Sequence, residues 1–234
     1  MTSAPAGAVG DSVDWDFAGV VGAMLARPAA PATEYTRRQA MEELAAAARK
    51  AEGPVRELTR MRIDGPVAEA RVVDRQEWIR AAAESMRVMT GSPAKPGKVI
   101  TGRVTGAQTG AVLAFISSGI LGQYDPFTSV DGEDGCLLLV YPNVTAVGRR
   151  LRVSPGDFRL WVCLHEVTHR VQFTANPWLA GYMSDALAGL ISDVGTGTTG
   201  EMVARLAEFA RSRGGGNPKG AGILGLVRAV QAAS

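Results

Sequence analysis

Only two of the 234 residues are histidines, His165 and His169, and they stand four apart with Glu166 directly after the first. The run Leu164-His165-Glu166-Val167-Thr168-His169 has the pattern H-E-x-x-H. On a helix, residues i and i+4 share a face. Two imidazoles at that spacing can hold one metal ion, and the carboxylate between them can reach the water the ion binds. From this composition, that spacing with that Glu arises by chance on the order of 4 times in 10,000, so coincidence is a poor account of it. Zn2+ suits two imidazoles and a carboxylate with one position left for water, whose pKa falls to about 7 on the metal. Glu166 would then take the proton from the water and hand it to a leaving amine. The competing account is a core helix with two incidental histidines. It must bury two imidazoles without partners, and it gives the acid between them no purpose.

The third ligand is open. No histidine remains, so Asp, Glu, Tyr or water must serve, and the acids downstream are Asp185, Asp193, Glu201 and Glu208. None has a distinctive spacing, and Glu201 after Thr198 also fits the capping box of a helix. The pattern H-x-x-G-x-x-H with a following Met turn is absent, which argues against the metzincin branch. Cys163 lies two residues before His165, so a helix points it away from the histidine face, with a ligand role as the lesser alternative. Cys136 and Cys163 both sit in apolar runs and make no disulfide framework.

The elements that must position these residues are mostly helices. Ser154, Pro155 and Asp157 mark the start of the histidine helix as cap, first-turn proline and capping-box acid, and Asn176-Pro177 stops it. The motif thus lies about three turns into a buried helix. Before it, Leu137 to Tyr141 is the most credible strand, bounded by an Asp/Gly-rich loop and by Pro142-Asn143. Ala111 to Leu121 reads as a buried helix, with a strand pair as the alternative. Further upstream, Asp14 to Arg27 is helical with Val13, Phe17, Val20, Val21, Met24 and Leu25 at helical spacing. A second helix runs from Thr33 to Ala51, is interrupted at Gly53-Pro54, and resumes for a turn or two toward Met61. Asp74 with Glu77 forms a capping box for a helix whose apolar face is Trp78, Ile79, Ala82 and Met86. Downstream, an apolar stripe of Ile223, Leu224, Leu226, Val227 and Val230 predicts a helix from Ala221 to Ala233. The fold class is mainly α with a small β element. Residues 1–12 are a loose N-terminus, 13–95 an N-terminal helical region and 96–234 the metal-binding region, divided in the Pro- and Gly-bearing stretch Ser92 to Gly97.

Composition narrows the function classes. The chain has 25 Lys and Arg against 23 Asp and Glu, a net charge of +2. That excess, without any long basic run, does not make a nucleic-acid platform. The cluster Arg149, Arg150 and Arg152 reads as a solvated surface or a helix end rather than a phosphate site. The N-terminus lacks the basic start and apolar stretch of a secretory signal. No segment reaches ~18 apolar residues without a charge. The expectation is a soluble cytoplasmic protein that meets neither nucleic acid nor membrane and acts on peptide or protein substrates.

Longer stretches sharpen this. Val72 to Arg80, Gly119 to Phe127, Leu137 to Asn143, Asp157 to Phe173 and Pro177 to Leu179 together span most of the chain. In combination the chain resembles an actinobacterial family of zinc-dependent metallopeptidases with a zincin-like catalytic region, closest to the branch labelled as associated with deazaflavin-coenzyme biosynthesis. The resemblance implies a zinc site at His165 and His169 with Glu166 catalytic; the label itself implies no reaction. Members of that family continue into a segment with a Leu-Leu-Glu-Gly-His pattern that would supply the remaining ligand. This chain stops at Ser234 without it, so the expectation is a truncated or degenerate member with weakened metal binding. The leading reading is a zinc-dependent hydrolase of peptide bonds. The alternatives are a non-catalytic binding or scaffold protein that keeps the fold, and a purely structural metal.

Overall fold

The apolar run from Cys136 to Val140 becomes the middle of a three-stranded sheet, and the rest of the fold is layered on its two faces. The computed structural model describes residues 13–63, 69–92, 99–130 and 133–194. In chain order the elements are α1 (Trp15–Leu25), α2 (Glu34–Thr59), β1 (Arg71–Val73), α3 (Arg75–Met89), α4 (Val99–Ser117), β2 (Gly122–Val130), β3 (Glu133–Val140), α5 (Tyr141–Leu151), α6 (Pro155–Ala175) and α7 (Trp178–Val194). This is the mainly helical architecture with a small β element that the sequence predicts. The expectations for 1–12, for the boundary at 93–97, for a helix at Glu201 and for a helix at 221–233 lie outside the described residues.

Strand β3 pairs in parallel with β1, Arg71 opposite Leu138, and antiparallel with β2, Gly122 opposite Leu139. Successive side chains on a strand point to opposite faces. Leu137 and Leu139 therefore join Leu44, Ala48, Ala51 and Val55 of α2 and Val162, Val167 and Val171 of α6 in one core. Cys136, Leu138 and Val140 join Trp78, Ile79 and Ala82 of α3 and Leu113 of α4 in the other. A strand covered on both faces reads as a continuous apolar run rather than an alternation.

Several local expectations are corrected. Strand β3 ends at Val140, and Tyr141 opens α5, because Pro142 fits the first helical turn, where its missing amide is not needed. The cluster at Arg149 and Arg150 lies in the last turn of α5, with Arg152 as its C-cap, the helix end that the sequence predicts. Asn143 is buried and bolts four segments together. Its Nδ2 donates to the carbonyls of Ser117 (2.7 Å) and Ile120 (2.6 Å), and its Oδ1 accepts from Arg75 Nε (2.7 Å). Strand β2 was not foreseen because it contains Pro126. It is an edge strand with a register shift between Asp125 and Ser129, the setting in which a strand tolerates proline. Buried Asp125 holds this irregularity by accepting from Ser85 Oγ (2.7 Å), the Phe127 amide (3.0 Å) and Thr128 Oγ1 (2.6 Å).

Helix α2 runs unbroken through Gly53-Pro54 to Thr59. Pro54 removes one helical hydrogen bond, but Leu44, Ala48, Ala51 and Val55 form one buried stripe that spans the position, and that shared burial carries the helix across. Helix α1 lies where expected, capped by Asp14, whose carboxylate accepts from the Phe17 amide at 3.0 Å. Its buried face is the reverse of the predicted one. Trp15, Ala18, Gly19, Gly22 and Ala23 face inward, while Val20, Met24 and Leu25 are exposed. Glycines on α4 explain it. A Cβ at Gly106 would stand 2.5 Å from the Asp14 carbonyl, and one at Gly110 would stand 2.5 Å from the Ala18 carbonyl. The two backbones touch, so Ala18, Gly19, Gly22 and Ala23 turn inward and Val20, Met24 and Leu25 are left outside. Helix α4 begins earlier than predicted and stops at Ser117. By length and composition it is the described helix that could cross a membrane; it carries Arg103, whose guanidinium lies 5.7 Å over the Phe17 ring of α1. The α3 capping box is present in both halves: the Glu77 amide donates to Asp74 Oδ1 and the Asp74 amide to Glu77 Oε2, each at 2.8 Å.

Candidate metal centre

Helix α6 carries His165, Glu166 and His169. Ser154 takes the N-cap position and Pro155 the first turn, as expected, but the Ser154 hydroxyl makes no capping bond. Pro155 already removes one orphan amide and presets the backbone, and the turn closes through the Phe158 amide on the Ser154 carbonyl at 3.0 Å. Asp157 lies in the first turn, where its charge suits the helix dipole.

The helix divides into three stripes. Cys163, Val167 and Val171 are fully buried against α2 and the sheet. Phe158, Val162, Glu166 and Arg170 form the adjoining buried stripe. Trp161, His165, His169 and Gln172 form the outer one, with Trp161 and His165 exposed and His169 and Gln172 half-buried. The helix is therefore buried on its core side only, and the histidines open to solvent.

The Nε2 atoms of His165 and His169 stand 3.2 Å apart, with the rings edge to face at 88° and 4.8 Å between centroids. Two nitrogens bound at ~2.05 Å to a tetrahedral zinc would lie roughly 3.3 Å apart. The pair is thus already spaced as two ligands of one ion, and the donor set fits zinc. Each ring is held from outside. His165 stacks against Trp161 at 6.2 Å and 22°, and Trp161 in turn stacks against Phe158 at 6.0 Å and 18°. His169 Nδ1 lies 3.2 Å from Gln172 Oε1. The His165 pKa is lowered, first by burial and then by the charge of His169.

Glu166 projects from the same turn but is buried, 8% exposed. Burial pushes its carboxyl from an ordinary 4.5 up to about 7, so near neutral pH it can both accept and return a proton. A dication beside it would draw that value down. What buries it is Gly122, the first residue of β2. A Cβ at Gly122 would fall 2.7 Å from Glu166 Cγ, 2.9 Å from Glu166 Cδ and 3.0 Å from the Leu138 carbonyl oxygen. Sequence reasoning missed Gly122 as a site residue. A glycine at a strand position marks close approach of another group, but only once the strand is recognised, and Pro126 concealed it.

Cys163 belongs to the core. Its Sγ lies 3.7 Å from the Leu44 carbonyl, and burial, followed by the charge of Glu166, pushes its pKa up to about 12, which makes a thiolate ligand unfavourable. Among the described residues no third His, Cys, Asp or Glu joins His165 and His169. Asp185 is exposed on α7 and is not brought to the pair. Glu201, Glu208 and the side chain of Asp193 lie outside the described residues. Behind the site, Arg170 pairs with Glu52 of α2, which also accepts from Arg56 Nε at 2.7 Å. This ties the histidine helix to α2 one residue after the motif.

Residues 13–213 match the zincin-like metallopeptidase family. A crystal structure described as that of a candidate hydrolase with a novel fold from Chloroflexus aurantiacus superposes with a TM-score of 0.56 at 30% identity, over 74% of this chain. This chain spans 57% of that protein's length. No curated protein matches the chain.

Proposed function

Because the chain belongs to the zincin-like metallopeptidase family, we propose that it is a zinc-dependent hydrolase of peptide bonds, with His165 and His169 as metal ligands and Glu166 as general base. Family membership implies a metal cofactor, typically zinc. The observation that carries the residue assignment is the 3.2 Å convergence of the two Nε2 atoms beside a buried carboxylate. When bound, the metal supplies Lewis acidity, polarising a carbonyl and making water easier to deprotonate. Glu166 takes the proton of the attacking water and delivers it to the departing amine. Gly122 and the adjoining strand keep that carboxylate out of bulk water. Asp193, Glu201 and Glu208 stay the acids proposed for the remaining ligand position. The branch label attached to the resemblance names no bond to be cleaved, so the substrate class rests on the chemistry of the site.

The test is metal content together with cleavage of an unfolded protein such as labelled casein. The purified chain should hold about one zinc. The His165→Ala, His169→Ala double variant should hold none, and Glu166→Gln should keep the metal while losing cleavage by orders of magnitude. Equal zinc in the double variant removes the metal assignment. Normal cleavage by Glu166→Gln removes the role of the base. A wild-type chain that binds zinc and cleaves nothing would favour the alternative, a non-catalytic binding protein on the same fold.

A further inference from the structure

We propose that Gln172 is a positioning residue of the metal centre, its side-chain oxygen fixing His169 in the Nδ1–H form so that the bare Nε2 faces His165. This rests on the reading of the two histidines as metal ligands. A neutral imidazole carries one proton on either ring nitrogen, and only the bare nitrogen can bind a metal. His169 Nδ1 lies 3.2 Å from Gln172 Oε1. An amide oxygen only accepts, so Nδ1 must donate, and Nε2 is left without a proton on the side where His165 Nε2 stands 3.2 Å away. An amide turned the other way would offer an N–H to Nδ1, force the proton onto Nε2 and aim it at the metal position. The two orientations therefore make opposite predictions.

The turn bearing Gln172 is itself held. Asn176 Nδ2 donates to the Gln172 carbonyl at 2.9 Å, and the neighbouring Phe173 ring meets Tyr124 of β2 at 5.6 Å. Gln172 lies three residues after His169 on the same stripe of α6, so acceptor and ligand move as one body. His165 is held differently, by the face of Trp161. Outer partners of this kind fix ring orientation, and their loss typically costs 10–100-fold in metal affinity.

The experiment compares wild type, Gln172→Met, which keeps length without an acceptor, and Gln172→Glu, which keeps an acceptor. Zinc affinity is read by competition with a chelator, and the His169 tautomer is read by nitrogen-15 NMR on the metal-free proteins, with melting curves to check folding. Expected are the Nδ1–H form in wild type and Gln172→Glu, a shift away from it in Gln172→Met, and zinc binding weaker by about 10–100-fold in Gln172→Met alone. The same tautomer in wild type and Gln172→Met, or equal zinc affinity, overturns the proposal. If Gln172→Met does not fold, Gln172→Glu decides. A carboxylate is the stronger acceptor, so zinc binding at least as tight supports the proposal and weaker binding overturns it. If wild type takes up no zinc, the metal assignment fails, while the tautomer measurement still decides the role of Gln172.

Discussion

Adding one methyl group at Gly122 should disable the site while leaving its metal in place. The backbone at Gly122 is not in the left-handed region, so Gly122→Ala raises only a question of space. The new Cβ would sit 2.7 Å from Glu166 Cγ, about 0.8 Å short of the ~3.5 Å at which carbons rest. The Leu138 carbonyl oxygen, 3.0 Å away, blocks retreat toward β3. The carboxylate must give way, and a displacement approaching 1 Å at a reacting group can cost about 100-fold in rate, equivalent to ~2.7 kcal/mol. Overpacking should also lower stability by about 1–3 kcal/mol. The assay has three readings: zinc content, kcat on an unfolded protein substrate, and thermal stability of Gly122→Ala in both the wild-type and Glu166→Ala backgrounds. Zinc should stay near one per chain, kcat should fall about 100-fold, and most of the stability cost should vanish once Glu166 is truncated. An equal stability loss in both backgrounds, or a zinc-loaded Gly122→Ala that works at the wild-type rate, would refute the reasoning.

Two further perturbations follow from the same geometry. In the metal-free protein the folded chain holds the Glu166 proton more tightly than the unfolded chain, since burial raises the carboxyl from 4.5 to about 7. That stability is full below 4.5 and is lost as pH rises to about 7, on the order of 3 kcal/mol. His165, with a lowered pKa, acts in the opposite sense, but it is common to wild type and Glu166→Gln. The Tm difference between these two should therefore widen from pH 4.5 to 8, and parallel curves would contradict it. Glu52→Ala should remove the Glu52 carboxylate from buried Arg170 and lower stability by up to about 3–5 kcal/mol; a denaturant midpoint within error of wild type would show that the pair contributes nothing.

The candidate site was legible because its residues are local. His165, Glu166 and His169 lie within five consecutive positions, and helical periodicity alone brings the imidazoles together. The Asp74–Glu77 box and the run Leu137 to Val140 were legible for the same reason, since each pattern is completed within a few residues. What escaped depends on contacts distant in the chain. Gly122 matters only because β2 lies over α6. The inward face of α1 is set by glycines on α4 rather than by its own apolar periodicity. Helix α2 survives Pro54 because one buried stripe, Leu44, Ala48, Ala51 and Val55, packs into the α6 core on both sides of the proline in sequence. The third ligand escaped both the sequence and the described structure, since no spacing marks it.

The ion pair between Glu52 and Arg170 also sets a schedule. Its partners are 118 positions apart in the chain, and at roughly 5–20 residues per second of synthesis Glu52 waits about 6–24 s for Arg170 to be made. Through that interval the stripe Leu44, Ala48, Ala51 and Val55 has no α6 to close over it. The side of the molecule that carries the candidate site is therefore assembled only after α6 has been made, and the apolar stripe of α2 stays uncovered by α6 until then. A nascent chain arrested before Trp161 should be cut by protease within α2, while one arrested well past Ala175 should resist.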